Sequence, residues 1–300
     1  MGTKALEMDW VRYGQGYVVN LVAGFYRSPD VMGWHAATVT LLTLILAMTA
    51  RGGRRWFWLL LGGAAIAALL LCGRRKMVYM IPAFLVSVAA LQLLAGHYNK
   101  VLTRVGLALV PLAFMWLAHN WMGADSTHMR YYTETLDETG PSVQEHGYHA
   151  VLESYYDAGF FGKGMGVAAP GLLQIKVARP RVWQESGPSR VMVELGVPGA
   201  LALMFLLGNI IYAGWQVTSR HLRADSAASP YAVGLFAFFL ANAGGLVVSG
   251  QILADPFVSA FLGLSIGMVL SLARDPVHMT KRRATSLRAA PHTAIMALQH

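Results

Sequence analysis

Seven blocks of mostly apolar residues recur along the chain, at roughly 32–50, 56–72, 77–96, 105–122, 192–215, 232–249 and 256–273. Short polar turns separate most of them, and one long polar stretch, 123–191, divides the fourth from the fifth. A helix of about 20 apolar residues crosses a bilayer. In lipid the backbone groups must be satisfied within the segment, so helices are the expected form. Blocks this long exclude the alternating strands of a membrane barrel. The pattern predicts an all-α polytopic membrane protein with about seven transmembrane helices and one large extracytoplasmic loop containing short helices. Its divisions are an extracytoplasmic or interfacial N-terminal segment (1–31), four transmembrane helices (32–122), the functional loop (123–191), three transmembrane helices (192–273) and a basic cytoplasmic tail (274–300). The first segment shows no secretory leader pattern, and its apolar patch GYVVNLVAGFY is too short to span.

Composition agrees with this reading. Of 300 residues, 55% are hydrophobic and 13% charged, against about 25% charged in a soluble domain. Mean hydropathy is +0.46. The net charge of +9 comes from cations in short turns and the tail, not from an amphipathic face, so basic cytoplasmic loops explain it and nucleic acid does not. The single cysteine, Cys72, excludes an internal disulfide and a cysteine metal cluster, and is read as inert packing. No His/Asp/Glu spacing resembles a zinc site and no glycine motif follows a strand, so neither metal nor nucleotide cofactor is expected.

Charge also orients the chain. The turns 51–55, 97–104 and 216–230 and the tail 274–288 together hold twelve of the 24 Lys and Arg. Placed inside, they satisfy the positive-inside rule, which counts short loops. Alternation then puts Arg74, Arg75 and Lys76, in the turn LLLCGRRKMVY, on the outside. Three cations against the rule call for another reason, and arginine binds diphosphate bidentately.

The remaining candidates lie in or near the long loop. EHGYHAVLESYYDAGFF reads as an amphipathic surface helix, with His149 and Glu153 four apart on one face. Gly162, Gly164 and Gly166 alternate in FFGKGMG, a pattern that lets backbone N–H groups approach an anion, or simply a tight turn after a helix. Glu185, Arg190 and Glu194 sit at the entry to the fifth block. Glu194 is either a partner for Arg190 or a membrane-depth carboxylate. Glu185 is either a solvated carboxylate or, with His149 and Glu153, a candidate base for a hydroxyl. Asp255, before Pro256, is read as a helix N-cap. Trp34, Trp116 and Trp121 fit an aromatic belt. His35 and His119 are read as interfacial, His128 and His146 as solvated.

Three of these motifs together resemble the O-antigen ligase and polymerase superfamily, over roughly 25–273: LCGRRKM as an outward arginine closing a span, YHAVLESYYDAGFFGKGMG as the loop helix and glycine turn, and ESGPSRVMVELGVPG leading into the next span. The resemblance implies a bacterial inner-membrane enzyme with its large loop facing the periplasm or outside. Such an enzyme moves a glycan from an undecaprenyl-diphosphate carrier to a hydroxyl of a glycan or lipid A–core acceptor, without metal or nucleotide. It gives Arg74 or Arg75 the diphosphate and puts Glu185 where the family usually has histidine. The family's arginine at the start of the loop helix is missing after Gly140, and Arg130, Arg179, Arg181 or Arg190 stands in for it. Two other classes stay open: a transporter of a small anion, and a non-catalytic partner in envelope polysaccharide assembly.

Overall fold

The computed structural model describes residues 10–14, 16–26, 28–98, 106, 113, 117, 131–132, 149–168, 186–248 and 255–274. The chain opens with an antiparallel hairpin, β1 (Trp10–Gly14) and β2 (Tyr17–Leu21), paired from Trp10↔Leu21 to Gly14↔Tyr17. The expected N-terminal segment carries no assigned secondary structure, and the hairpin adds two short strands to an otherwise mostly helical chain. WVRYGQGYVVNL is rich in β-branched and aromatic residues around a glycine-bearing turn, which is a hairpin signal. Val19, Leu21 and Tyr131 form a small cluster there, and the Val22 N–H donates to Leu71 O at 3.4 Å.

Helices α1 (Pro29–Thr49) and α2 (Gly53–Leu71) follow, then a single turn α3 (Arg75–Val78) and α4 (Met80–Leu94). Ser28 caps α1 by accepting from the Val31 N–H, and Pro29 occupies the first turn, where its missing N–H costs nothing. The loop helix α5 spans Ala150–Ala158. Three long helices complete the bundle: α6 (Gly187–Arg223), α7 (Ser229–Val248) and α8 (Pro256–Ser271). Asp255 caps α8, accepting from the N–H groups of Phe257 and Val258 at 2.9 and 3.3 Å, as its place before a proline suggests.

Among the described residues, six helical stretches are long and apolar enough to cross a membrane. Six of the seven expected blocks match them. The fifth is longer than expected, because α6 begins at Gly187 and runs 37 residues. The expected fourth span, 105–122, lies outside the described residues except Gly106, Ala113 and Leu117, each of which is helical.

Apolar side chains face outward in stripes, which is how a bundle meets lipid rather than water. On α8 the stripe is Phe257, Phe261, Leu264 and Met268; on α6 it includes Leu201, Phe205 and Tyr212. Lipid is as apolar as the helix faces, so helices in it associate through close packing, which small residues permit. A Cβ on Gly62 would meet Thr43 Oγ1 at 2.8 Å, one on Gly214 the Phe236 ring at 2.5 Å, and one on Gly234 Ile45 Cγ1 at 2.6 Å. These positions join α1 to α2, α6 to α7, and α7 to α1. The central helix is α7, buried continuously from Ala232 to Phe239.

Cross-helix bonds define the two ends of the bundle. At one end the Trp34 Nε1–H donates to Asn242 Oδ1 at 2.9 Å, Trp34 meets Phe261 edge-on, and Tyr132 O–H donates to Leu70 O at 2.9 Å. At the other, the His97 Nε2–H donates to Leu222 O at 2.8 Å and the His221 Nε2–H to Leu272 O at 3.1 Å. They are called here the Arg74 end and the Arg51 end. The turns 51–55 and 221–229 share the Arg51 end, as the charge rule groups them. His97 and Tyr132, which flank the expected fourth span, lie at opposite ends.

Candidate functional site

The Arg74 end is built around a carboxylate. Helix α2 stops at Leu71, and Gly73 turns the chain with φ +65 against the Leu21 side chain. Arg74 is extended (φ −101, ψ 92), and its Nη2 lies 2.8 Å from Asp30 Oδ2 in the first turn of α1. Gly33 makes this approach feasible: a Cβ there would meet Cys72 Sγ at 2.7 Å and Met77 Cγ at 3.2 Å. Both partners are nearly buried, at 11% and 9% side-chain exposure. Arg74 Nε and Asp30 Oδ1 are buried without hydrogen-bond partners. Arg74 is therefore not a bare cation against the positive-inside rule, because a carboxylate neutralises it. Motif reading missed Asp30. The available signal is that it is the only acidic residue between Asp9 and Asp125.

Lys76 faces a different environment. It lines a cleft of about 260 Å³ with Trp34, Tyr79, Met80, Asn242 and Gly245 among its neighbours, between α1, the α3–α4 junction and the far end of α7. Asn242 accepts from Trp34 and donates through Nδ2 to Phe238 O at 2.9 Å, so its carbonyl and one N–H are used within the bundle. Among the described residues Lys76 is the only charged one in a predominantly apolar wall. Trp34 is buried at 2% exposure and is a wall of this cleft, not part of an aromatic belt; its N–H has a partner inside the bundle, which removes the need to reach the interface. Arg75 opens α3, and its side chain lies outside the described residues.

The glycine turn has its own explanation. Inside α6, Gly196 leaves helical geometry (φ 65, ψ −162) and Pro198 follows two residues later. The break frees the carbonyl of Val193, and proline's missing N–H frees that of Glu194. Lys163 N–H takes the first at 2.8 Å and Gly164 N–H the second at 3.1 Å, while Val197 N–H returns to Phe160 O at 2.9 Å. Gly162 and Gly196 touch backbone to backbone: a Cβ on Gly162 would meet Gly196 N at 2.6 Å. The N–H groups of Lys163 and Gly164 are thus committed to α6 and do not form an open anion cradle; of the two readings of FFGKGMG, the tight turn describes them. Gly164 and Gly166 adopt φ of +101 and +86 with nothing within 4 Å of a Cβ. FFGKGMG and ELGVPG, distant in sequence, are here one backbone-bonded unit.

The remaining candidates spread around that unit. Helix α5 packs on α6, with Ser154 buried and its hydroxyl donating to Ala150 O at 2.6 Å. His149 and Glu153 are exposed on it, and neither lines the cleft. Arg190 Nε donates to Glu194 Oε1 at 3.2 Å across one helical turn, both side chains 13% exposed, so these two residues are each other's partners. Glu185 and Arg181 lie outside the described residues, as do Arg130, Arg179, His119, His128, His146, Trp116 and Trp121. His35 sits at the Arg74 end, bonded to Val31 O at 2.9 Å and stacked near Tyr26. The described residues contain no cluster of His, Cys, Asp and Glu fit for a metal.

Cys72, just past the end of α2, is fully buried, and burial pushes its thiol up to about 11. Both the low thiolate fraction and the lack of access suppress alkylation. A soluble maleimide at pH 8 is expected to leave the folded protein unlabelled and to label it stoichiometrically once denatured; rapid labelling of folded protein would contradict this packing. Comparison with protein-family models, with curated proteins and with solved structures finds no match to this chain.

Proposed function

We propose that the protein is a membrane glycosyltransferase of the O-antigen ligase and polymerase type, moving a glycan from an undecaprenyl-diphosphate carrier to a hydroxyl acceptor at the outer face of the cytoplasmic membrane. The observation that carries this reading is the apolar cleft with Lys76 as the one charged residue among its described lining residues. That combination suits an amphiphile with an anionic head and a hydrocarbon tail. The backbone union of FFGKGMG with ELGVPG adds support, since those are two of the three motifs behind the resemblance.

The chemistry asked of the site is modest. The acceptor oxygen attacks the anomeric carbon, the bond from that carbon to the diphosphate oxygen breaks, and the hydroxyl proton passes to a base. Glu185 is assigned that base. Negative charge grows on the leaving diphosphate, where a fixed cation is most effective. Lys76 is assigned this role ahead of Arg74, whose guanidinium already holds Asp30.

The test is turnover in liposomes containing only this protein, an undecaprenyl-diphosphate oligosaccharide and a hydroxyl acceptor. Lys76→Gln is expected to lower kcat by about 10²-fold, the usual cost of one lost charge-stabilising donor, with thermal stability unchanged. Glu185→Gln is expected to abolish transfer while carrier binding persists. Absence of turnover by the unaltered protein, or full turnover by Lys76→Gln, overturns the assignment. Anion flux without glycan transfer would select the transporter instead.

A further inference from the structure

The Arg51 end holds a second cleft that the proposed transfer reaction does not use. The α1–α2 turn and the α6–α7 turn face each other across an open space of about 670 Å³, lined by Arg51, Arg54, Arg55, Asp225, Ser226 and Pro230, with Met48 also on its wall. The three arginines have different duties. Arg55 is committed, its Nε donating to Ala47 O at 3.2 Å and Ala50 O at 3.1 Å, where it satisfies the last carbonyls of α1. Arg51 and Arg54 are exposed and have no hydrogen-bond or ion-pair partner among the described residues.

The local field favours an anion. Among the described residues of the wall, Asp225 is the only carboxylate against three guanidinium groups. Helix α7 starts at this cleft with no acidic residue in its first turn, so its positive pole adds to the arginines there. The Ser226 hydroxyl is spent on His221 Nδ1 at 2.7 Å, which leaves the arginines as the recognising groups. Met48 and Pro230 give the cleft apolar flanks at the end of a lipid-facing bundle.

We propose that this cleft binds a phosphoryl group, held by Arg51 and Arg54. Arginine's planar fork matches phosphate oxygens bidentately, and the charge-assisted bonds that result are about twice as strong as neutral ones. Placed where the helices end, the site is within reach of an anionic phospholipid headgroup, and basic pockets between transmembrane helices are recurrent headgroup sites. A free phosphate offers the same chemistry from solution. The inference stands independently of the glycosyltransferase reading, because no residue is shared between the two clefts.

Native mass spectrometry of the full chain, released from nanodiscs of equal phosphatidylglycerol and phosphatidylcholine, tests it. The unaltered protein is expected to retain phosphatidylglycerol preferentially. Arg51→Gln with Arg54→Gln is expected to reduce that retention about tenfold, from the loss of charged hydrogen bonds. Arg274→Gln, which removes an exposed arginine at the same end, is expected to leave it unchanged. In phosphatidylcholine alone, millimolar inorganic phosphate that raises the melting temperature of the unaltered protein but not of the double variant would identify free phosphate as the source. Equal lipid and phosphate responses in the unaltered protein and the double variant, an equal loss in Arg274→Gln, or no preference and no phosphate response in the unaltered protein each overturn the proposal.

Discussion

Arg74→Ala is expected to destabilise the folded protein by about 3–5 kcal/mol, the usual cost of leaving one member of a buried ion pair behind. Asp30 is nearly buried, and its Oδ1 already lacks a partner. Without the guanidinium 2.8 Å away, the nearly buried carboxylate is left with no counter-charge. Asp30→Ala should cost a comparable amount for the converse reason. Replacing both at once with apolar residues of similar volume, Asp30→Leu with Arg74→Met, should recover most of the loss, because the desolvation penalty of both charges disappears together. Thermal unfolding in detergent of the unaltered protein, Asp30→Leu, Arg74→Met and the double variant reads the coupling directly. Additive losses would show that the pair is not a unit.

That cycle also separates two meanings of a dead Arg74 variant. If Arg74 acts on substrate, the stable double variant stays inactive. If it only holds the α1 start against the turn after α2, glycan transfer returns with stability. The Asp30 ion pair favours the holding role for Arg74. It also explains why an activity loss in Arg74→Ala alone would be uninformative.

Gly196→Ala is the second substitution with a large expected effect. Its φ of +65 disfavours any residue with a Cβ, by roughly 1–2 kcal/mol. The new Cβ would also run into Phe160 O and the Phe161 carbonyl carbon. Those atoms belong to backbone, and moving them breaks the Val197 to Phe160 bond. The glycine turn should therefore detach from α6. Hydrogen exchange at the Lys163 and Gly164 amides is expected to rise sharply, since their acceptors, Val193 O and Glu194 O, would move away. Gly162→Ala should behave similarly, because its Cβ meets Gly196 N and Glu194 O. Gly164→Ala is the control: it shares the positive φ but has open space around it, so only the conformational cost applies. Equal exchange in Gly196→Ala and the unaltered protein would mean that the turn is held by something other than these three bonds.

Legibility followed the range of the interaction. The apolar blocks marked five of the described helices to within about three residues, and α6 in part, because crossing length and backbone satisfaction are properties of a contiguous segment. The caps at Ser28 and Asp255 are equally local. The start of α6 was misjudged because Ser186 and Pro188 begin a helix in polar sequence, ahead of the apolar run that signals a span. The hairpin at 10–21 is not legible from the apolar blocks, because each strand is five residues long, far below crossing length.

The sequence by itself determined that this is a mostly helical chain built for a membrane, where its short basic turns lie relative to one another, and which residue types stand at each helix end. Tertiary structure alone decided what those residues do. Arg74 and Lys76 are two positions apart in one turn, yet one meets Asp30 from α1, 44 residues earlier, and the other lines a cleft completed by α7. Gly162 and Gly196 are read locally as separate turns, but they form one contact because each lacks the Cβ that would keep the backbones apart. A charge or a glycine in sequence states only what a group can do. Which neighbour the fold brings within about 3 Å settles whether a cation is neutralised or free and whether an N–H is spent or available, and that depends on helices far apart in the chain.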